Sequence, residues 1–227
     1  MNKVILITGG SDGLGKEIAR LLSTNNKVVI MSPSAEKLKA VAAELPCDFV
    51  IGDVSDYPSC EQAVNKVIEK HGHIDCLVNN AGLWIQGELD DNSPEDIAKV
   101  IAVNNTGVVF MTKSVIKQMK AQKQGLIINI NSQGGFYAKP ERSVYSAAKW
   151  GVTGFTKSIQ AELAPFGIAV TGIYPAKMKT QMFEKMGITK DMRDGLDPKY
   201  VAQAVEFVLQ LPQGVAVPEL GIKHLNG

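Results

Sequence analysis

In the stretch VYSAAKW, Tyr145 and Lys149 stand four positions apart with only small residues between them. On a helix that spacing stacks two side chains on one face. Two readings follow. In the first, Tyr145 packs as a surface ring on the aliphatic stem of Lys149, the commoner arrangement for such a pair. In the second, Tyr145 is a proton donor and acceptor and Lys149 is the cation that tunes it. A free phenol titrates near ~10, too high for a base at neutral pH unless positive charge lies beside it. Taken alone the pair favours the first reading, so its surroundings must decide.

A second chemistry-bearing stretch, TGGSDGLG (8–15), lies between an apolar run and an apolar-periodic helix. Gly9, Gly13 and Gly15 permit a tight turn and close approach of the backbone to a phosphate. The helix that follows offers free N–H groups and a positive dipole end. The glycine spacing is G-x-x-x-G-x-G rather than G-x-G-x-x-G, so the placement carries more weight than the spacing. GDV (52–54) and NNAG (79–82) close two further apolar runs. There Asp53 is placed to accept from an adenine amino group, and Asn79 and Asn80 to tie neighbouring strand ends together. Ordinary turn chemistry is the competing explanation for both. Ser132 follows the run GLIINI, and Asn104 sits within a long helical segment where asparagine is a poor helix former.

The elements that must position these residues alternate along the chain. Strands are expected at 3–7, 27–31, 48–52, 74–79, 125–130, 168–174 and 219–224. Helices are expected at 13–23, 34–45, 58–71, 94–121, 144–164 and 198–210. Several strands are apolar on both faces, as in a parallel sheet covered by helices. The pattern predicts one α/β domain over 1–227, a three-layer Rossmann-like doubly wound parallel sheet. Ser93 and Pro94, followed by Glu95 and Asp96, mark a helix start. Regularity fails over 175–197, an irregular segment with the character of a substrate loop or lid.

Composition narrows the function. The chain has 227 residues and a formal charge of +1 with its cations scattered, which argues against a nucleic-acid partner. Cys47, Cys60 and Cys76 share no metal-ligand spacing with the histidines, so no metal site is expected, and a reducing compartment is the simplest reading. The opening run MNKVILITGG is too short for a signal core or a membrane span. A cytoplasmic protein without a membrane partner is expected.

Read in order, TGxxxGxG, NNAG, an asparagine inside a helix, a serine thirteen residues before YxxxK and a late Pro-x-x-x-x-Thr resemble the short-chain dehydrogenases/reductases, in their shorter soluble branch. The resemblance covers residues 3–180. It implies hydride transfer between NAD(P)(H) and a carbonyl compound or secondary alcohol, with Asn104, Ser132, Tyr145 and Lys149 as the catalytic set. Tyr145 would exchange the proton, Ser132 hold the same oxygen, Lys149 bind the nicotinamide ribose, and Asn104 position a water. It also implies that Gly9, Ser11, Asp12, Gly13 and Leu14 lie around the pyrophosphate and adenosine ribose, Asp53 and Val54 at the adenine, and Asn80, Ala81 and Gly82 at the second ribose. Pro175, Met178 and Thr180 of PAKMKT would approach the carboxamide, with Ala176 standing where the family has glycine. A homodimer or homotetramer through the helices near 94–121 and 144–164 follows from the same resemblance.

Members of that family preferring NAD carry an acid at the end of the second strand. Here the position is Ser32, followed by Pro33 and Ser34, which leans the expectation toward NADP(H). Asp12 weighs against it, since many NADP-preferring members have arginine there. Trp84, Gln133, Phe136, Tyr137, Met182 and Phe183 are expected around a partly apolar substrate crevice, with loop-to-core packing as the alternative for each. No fixed charged specificity residue stands out. The competing functional reading is a dinucleotide-binding sensor or scaffold without catalysis. A sugar-nucleotide epimerase fits the chain length and glycine spacing poorly.

Overall fold

The computed structural model describes residues 2–182, 184, 187 and 191–225. The apolar runs form seven strands: β1 (Val4–Thr8), β2 (Lys27–Ser32), β3 (Asp48–Ile51), β4 (Cys76–Asn79), β5 (Gly125–Ile130), β6 (Ile168–Pro175) and β7 (Glu219–Ile222). They pair side by side in the order β3-β2-β1-β4-β5-β6-β7, every pair parallel. Among the described residues seven α-helices connect them: α1 (Gly13–Leu22), α2 (Ala35–Glu44), α3 (Tyr57–His71), α4 (Pro94–Ile101), α5 (Gly107–Gln122), α6 (Ser143–Leu163) and α7 (Pro198–Gln210).

Alternation along β1 shows why both faces of the sheet are apolar. Ile5 and Ile7 join the cluster formed with Ile18 and Leu22 of α1 and Val201 and Val205 of α7. Val4 and Leu6 join Val64 and Val67 of α3, and Met111 and Val115 of α5, on the other side. Successive strand residues point to opposite faces, so two helical layers demand a continuous apolar run rather than an alternating one. From β1 the chain first moves outward through β2 and β3, then returns to place β4 on the other flank of β1. The strand order therefore reverses between β1 and β4, and the loops leaving those two strands frame a crevice.

Most boundaries fall within one residue of expectation, and two strand ends differ by two. β4 begins at Cys76, after a buried Ile74, and β7 ends at Ile222. More consequential is the long helix expected over 94–121. It starts as anticipated, with Ser93 Oγ accepting from the Asp96 N–H at 3.1 Å and Pro94 in the first turn. It is then interrupted by a wide π turn over Ala102–Thr106 before α5 resumes. Such a turn inserts one residue into the helical ladder, and it is found mostly at functional sites. Its effect is local. Asn104 is turned fully inward, and Gly107 lies so close to Val54 that an added Cβ would stand 2.8 Å from Val54 Cγ2.

Candidate active site

The glycine turn after β1 is held by its neighbour across the crevice. Asn80 Nδ2 donates to Thr8 O at 2.9 Å and to Gly9 O at 3.2 Å, while the Asn80 and Ala81 N–H groups both donate to Thr8 Oγ1 at 3.0 Å. NNAG therefore ties the two strand ends as its residue types imply. Asn79 works differently, donating from Nδ2 to Asn129 Oδ1 at 2.9 Å and Thr112 Oγ1 at 3.1 Å inside the core. Gly9 and Gly13 have φ of +64° and +52°, the left-handed region where only glycine is unstrained. Gly15 faces a different constraint: a Cβ there would stand 2.2 Å from Gly9 O.

This turn delivers the start of α1. Asp12 occupies the N-cap position but makes no side-chain capping bond, whereas α2, α3, α4 and α7 are capped by Ser34, Asp56, Ser93 and Asp197. The first N–H groups of α1 lack a side-chain cap, as an anionic ligand there would require. Leu14 is buried in the core, so its contribution to the turn is its backbone. Ser11 is half-buried beside it.

Around the adenosine end, Ser32 is buried at the end of β2, and its Oγ accepts from the Ser34 N–H at 3.3 Å. Ser34 Oγ accepts from Lys37 N–H as the α2 cap. Lys37 Nζ lies 3.9 Å from Asp12 Oδ2, a pairing absent from the sequence-level reading. Asp53 is exposed; its Oδ1 accepts from the Ser55 N–H at 2.8 Å and from Ser55 Oγ at 2.6 Å. Val54 packs into the core under Gly107.

At the other end of the crevice, three residues converge from the start of α6 and the end of β5. Tyr145 and Lys149 occupy the first two turns of α6 and are both buried. Ser132 follows β5, and its Oγ accepts from the Gly134 N–H at 3.0 Å. Gly134 is small for a reason: a Cβ there would lie 3.1 Å from the Tyr145 ring. Burial raises the Tyr145 pKa, while a hydrogen bond with Ser132 and the positive charge of Arg142 pull it back. Lys149 Nζ donates to Ile130 O at 3.1 Å and lies 5.9 Å from the centre of the Tyr145 ring. Burial pushes Lys149 down to about 8. Arg142, a residue the spacing argument overlooked, also bears on the phenol.

Asn104 spends both ends of its amide on one residue. Oδ1 accepts from the Leu83 N–H at 2.6 Å, and Nδ2 donates to Leu83 O at 2.8 Å. Its neighbour Asn105, unremarked in the sequence, donates to Ala148 O at 3.1 Å, between Tyr145 and Lys149. The π turn thus clamps the loop after β4 to α6. Beneath it, Asn131 Nδ2 donates to Thr153 Oγ1 at 2.9 Å and to Lys149 O at 3.2 Å, fixing α6 against the end of β5.

The expected crevice residues divide. Trp84 packs against Tyr145, ring centres 4.5 Å apart and planes at 52°, in a small apolar cluster with Val144. Met182 packs on that cluster, as does Met192, which sequence reasoning missed. Gln133 is half-buried beside Ser132, with its carbonyl accepting from the Phe136 and Tyr137 N–H groups. Phe136 does not belong to the crevice. It stacks on Tyr174 at 4.0 Å, with Lys157 5.9 Å from its centre, two turns of α6 beyond Lys149. Tyr174 is fully buried and turns back over Gly172, so it offers Phe136 an aromatic face behind the site. Tyr137 is exposed. Phe183 lies outside the described residues.

The segment after β6 folds over the glycine turn. Pro175 ends β6, and Ala176 donates its N–H to Ile222 O at 2.8 Å without a positive φ, so alanine is accommodated where glycine was expected. Met178 pairs with Leu196 and leans on the α1 side of the core. A Cβ added to Gly13 would stand 3.9 Å from Thr180 Cβ. Gly13, Thr180, Gln181 and Met192 line part of a cavity of about 690 Å³, the size of a pocket for a small organic ligand. Among the described residues no cluster of three or more His, Cys, Asp or Glu is arranged to hold a metal, and no helix is long and apolar enough to cross a membrane.

Residues 3–191 match the family model for short chain dehydrogenase. The 3-oxoacyl acyl-carrier-protein reductase of Synechocystis is 39% identical, over 81% of this chain and 77% of its own. The trans-4-hydroxycyclohexanecarboxylate dehydrogenase of Sinomonas cyclohexanicum is 35% identical, over 79% and 74%. In structure, the alcohol dehydrogenase of the archaeon Thermococcus sibiricus, complexed with 5-hydroxy-NADP, superposes with a TM-score of 0.91 at 29% identity, covering 100% of this chain and 98% of that one.

Proposed function

Since the chain belongs to the short-chain dehydrogenase family and is thereby an NAD(P)-dependent oxidoreductase, we propose that it interconverts a small carbonyl compound and the corresponding secondary alcohol, with NADP(H) as the preferred cofactor and Tyr145 as the proton-transfer group. The observation that carries this reading is the convergence of Ser132, Tyr145 and Lys149 at the crevice whose opposite end is the uncapped start of α1.

The residues present fit a dinucleotide. Gly9, Ser11, Asp12, Gly13 and Leu14 would hold the pyrophosphate and adenosine ribose, the α1 N–H groups facing the negative charge. Asp53 and Val54 would border the adenine; Asn80, Ala81, Gly82 and Lys149 the nicotinamide ribose; Pro175, Met178 and Thr180 the carboxamide. When bound, the nicotinamide supplies or accepts the hydride. Tyr145 then gives its hydroxyl proton to the carbonyl oxygen in reduction, or takes it back in oxidation. Ser132 donates to the same oxygen and stabilises its developing charge. Lys149 is the nearest buried cation along α6, and at neutral pH a group titrating at about 8 remains mostly charged. Asn104 is committed to Leu83 through its amide, so any water it positions is held by the backbone of the π turn or by the amide's remaining lone pair and N–H.

Support for NADP(H) comes from the end of β2. Ser32 leaves no carboxylate there, and Lys37 partly neutralises Asp12, whose charge would otherwise oppose a ribose phosphate. The solved neighbour carries an NADP derivative. Residues 175–197 form the proposed substrate loop, with Trp84, Gln133, Met182 and Met192 against the substrate. The names of the relatives span an oxoacyl thioester reductase and a hydroxy-acid dehydrogenase, in keeping with this class. A homodimer or homotetramer in the cytoplasm completes the proposal. A carbonyl panel followed by NADPH and NADH absorbance tests it: turnover with higher kcat/KM for NADPH is expected. Clear preference for NADH would overturn the cofactor assignment, and cofactor binding without turnover of any carbonyl or alcohol would favour the sensor reading.

A further inference from the structure

Arg142 is the residue before α6, yet its side chain does not cap the helix. Its guanidinium instead lies over Trp84, 5.3 Å from the ring centre, and Trp84 in turn packs on Tyr145. The segment that places it is pinned from outside. The Gly87 N–H donates to Glu141 O at 3.0 Å, and Gln86 Nε2 donates to Glu141 Oε2 at 3.1 Å. Glu141, with a φ of +60°, is thereby turned to the loop after β4. Among the described residues no carboxylate lies within ion-pair distance of Arg142, while the side chain is half-buried against the crevice cluster. A guanidinium that is planar, permanently charged and held over an aromatic ring is preorganised for a carboxylate.

We propose that Arg142 is a specificity-determining residue that binds a carboxylate carried by the substrate, so that the preferred substrates are oxo acids or hydroxy acids. Trp84 stands between the guanidinium and Tyr145, which places the anionic group several bonds from the reacting carbon rather than next to it. This inference rests on the oxidoreductase reading and deepens it by naming the substrate class.

The test compares levulinate with methyl levulinate, and longer oxo acids with their methyl esters, as substrates of the wild-type enzyme and of Arg142→Gln and Arg142→Lys. Wild type is expected to show the higher kcat/KM for each acid. Arg142→Gln should raise KM for the acids by roughly tenfold or more over any change seen with the esters, the scale of one charge-assisted hydrogen bond, while any loss of kcat from removing the charge that bears on Tyr145 is shared by acids and esters alike. Arg142→Lys should restore part of the loss. Equal effects of Arg142→Gln on acids and esters, or a wild-type preference for the esters, would overturn the role of Arg142 while leaving the oxidoreductase reading intact. Failure to turn over any acid, ester or other carbonyl would instead count against that underlying reading.

Discussion

Lys149 reaches back from α6 to the end of β5, where its Nζ donates to Ile130 O at 3.1 Å in a buried setting. The bond holds a cation in the core, and among the described residues no carboxylate pairs with it. Burial lowers this amine from 10.5 to about 8, so the folded protein holds the proton less tightly than the unfolded chain does. Folding is therefore penalised below pH 8, and the penalty fades as pH rises from about 8 to 10.5. Lys149→Met should accordingly abolish turnover yet raise unfolding stability at pH 7, by on the order of 1–3 kcal/mol once loss of the Ile130 hydrogen bond is deducted. Urea unfolding of both proteins at pH 7 and pH 10 checks this. A stability difference that stays constant with pH would contradict the burial argument.

Tyr145→Phe isolates the proton. The ring keeps its packing on Trp84 and Gly134, and only the hydroxyl that meets Ser132 is lost. Turnover is expected to fall by roughly 10²–10⁴, the usual contribution of a general acid or base. NADPH affinity, read by fluorescence titration, should stay within a few-fold, because the glycine turn and Asn80 are untouched. Turnover surviving near wild-type level would remove Tyr145 from the proposed chemistry.

Much of this architecture was legible in the sequence because it rests on local rules. Two-sided apolar runs mark strands covered by helices, and a glycine turn between strand and helix marks the crevice. Ser132, Tyr145 and Lys149 lie in register with it. What escaped depends on contacts between distant segments. A single inserted residue at Ala102–Thr106 hardly disturbs an apolar periodicity, so the long helix read as continuous. Phe136 has the composition of a pocket residue, and only the face offered by Tyr174 draws it behind the site. Arg142 carries no signal of its own in the sequence, and its place follows only from the loop that brings Trp84 beneath it. Asn105 was hidden by its more obvious neighbour.

Asn104→Ala should damage position more than chemistry. It strips both hydrogen-bond partners from Leu83, leaving a half-buried N–H and C=O to find others. The expected cost is about 2–3 kcal/mol in unfolding free energy, the scale for unsatisfied backbone groups. The loop carrying Trp84 should loosen, visible as faster hydrogen exchange at residues 83–87. Asn104→Asp keeps the acceptor for Leu83 N–H but loses the donor to Leu83 O, so an intermediate loss is predicted. Identical behaviour of the two variants would show that the donor and acceptor roles are not separable.

Gly15→Ala probes the turn under the cofactor site. Its new Cβ would stand 2.2 Å from Gly9 O and 2.5 Å from Asn80 Nδ2, and the first of these is backbone that cannot swing aside. Relief requires α1 to move away from β1 or the Asn80 bonds to Thr8 and Gly9 to break. Either movement displaces the α1 N–H groups from the crevice. Overpacking of this kind costs about 1–3 kcal/mol. NADPH affinity should fall along with the melting temperature, whereas Gly154→Ala, at an exposed α6 position with nothing within 4 Å of the added carbon, should leave the affinity unchanged and raise the melting temperature through alanine's helix preference. Calorimetry with and without NADPH separates the two effects. A Gly15→Ala protein that melts and binds like wild type would mean that the turn has slack the tight packing does not reveal.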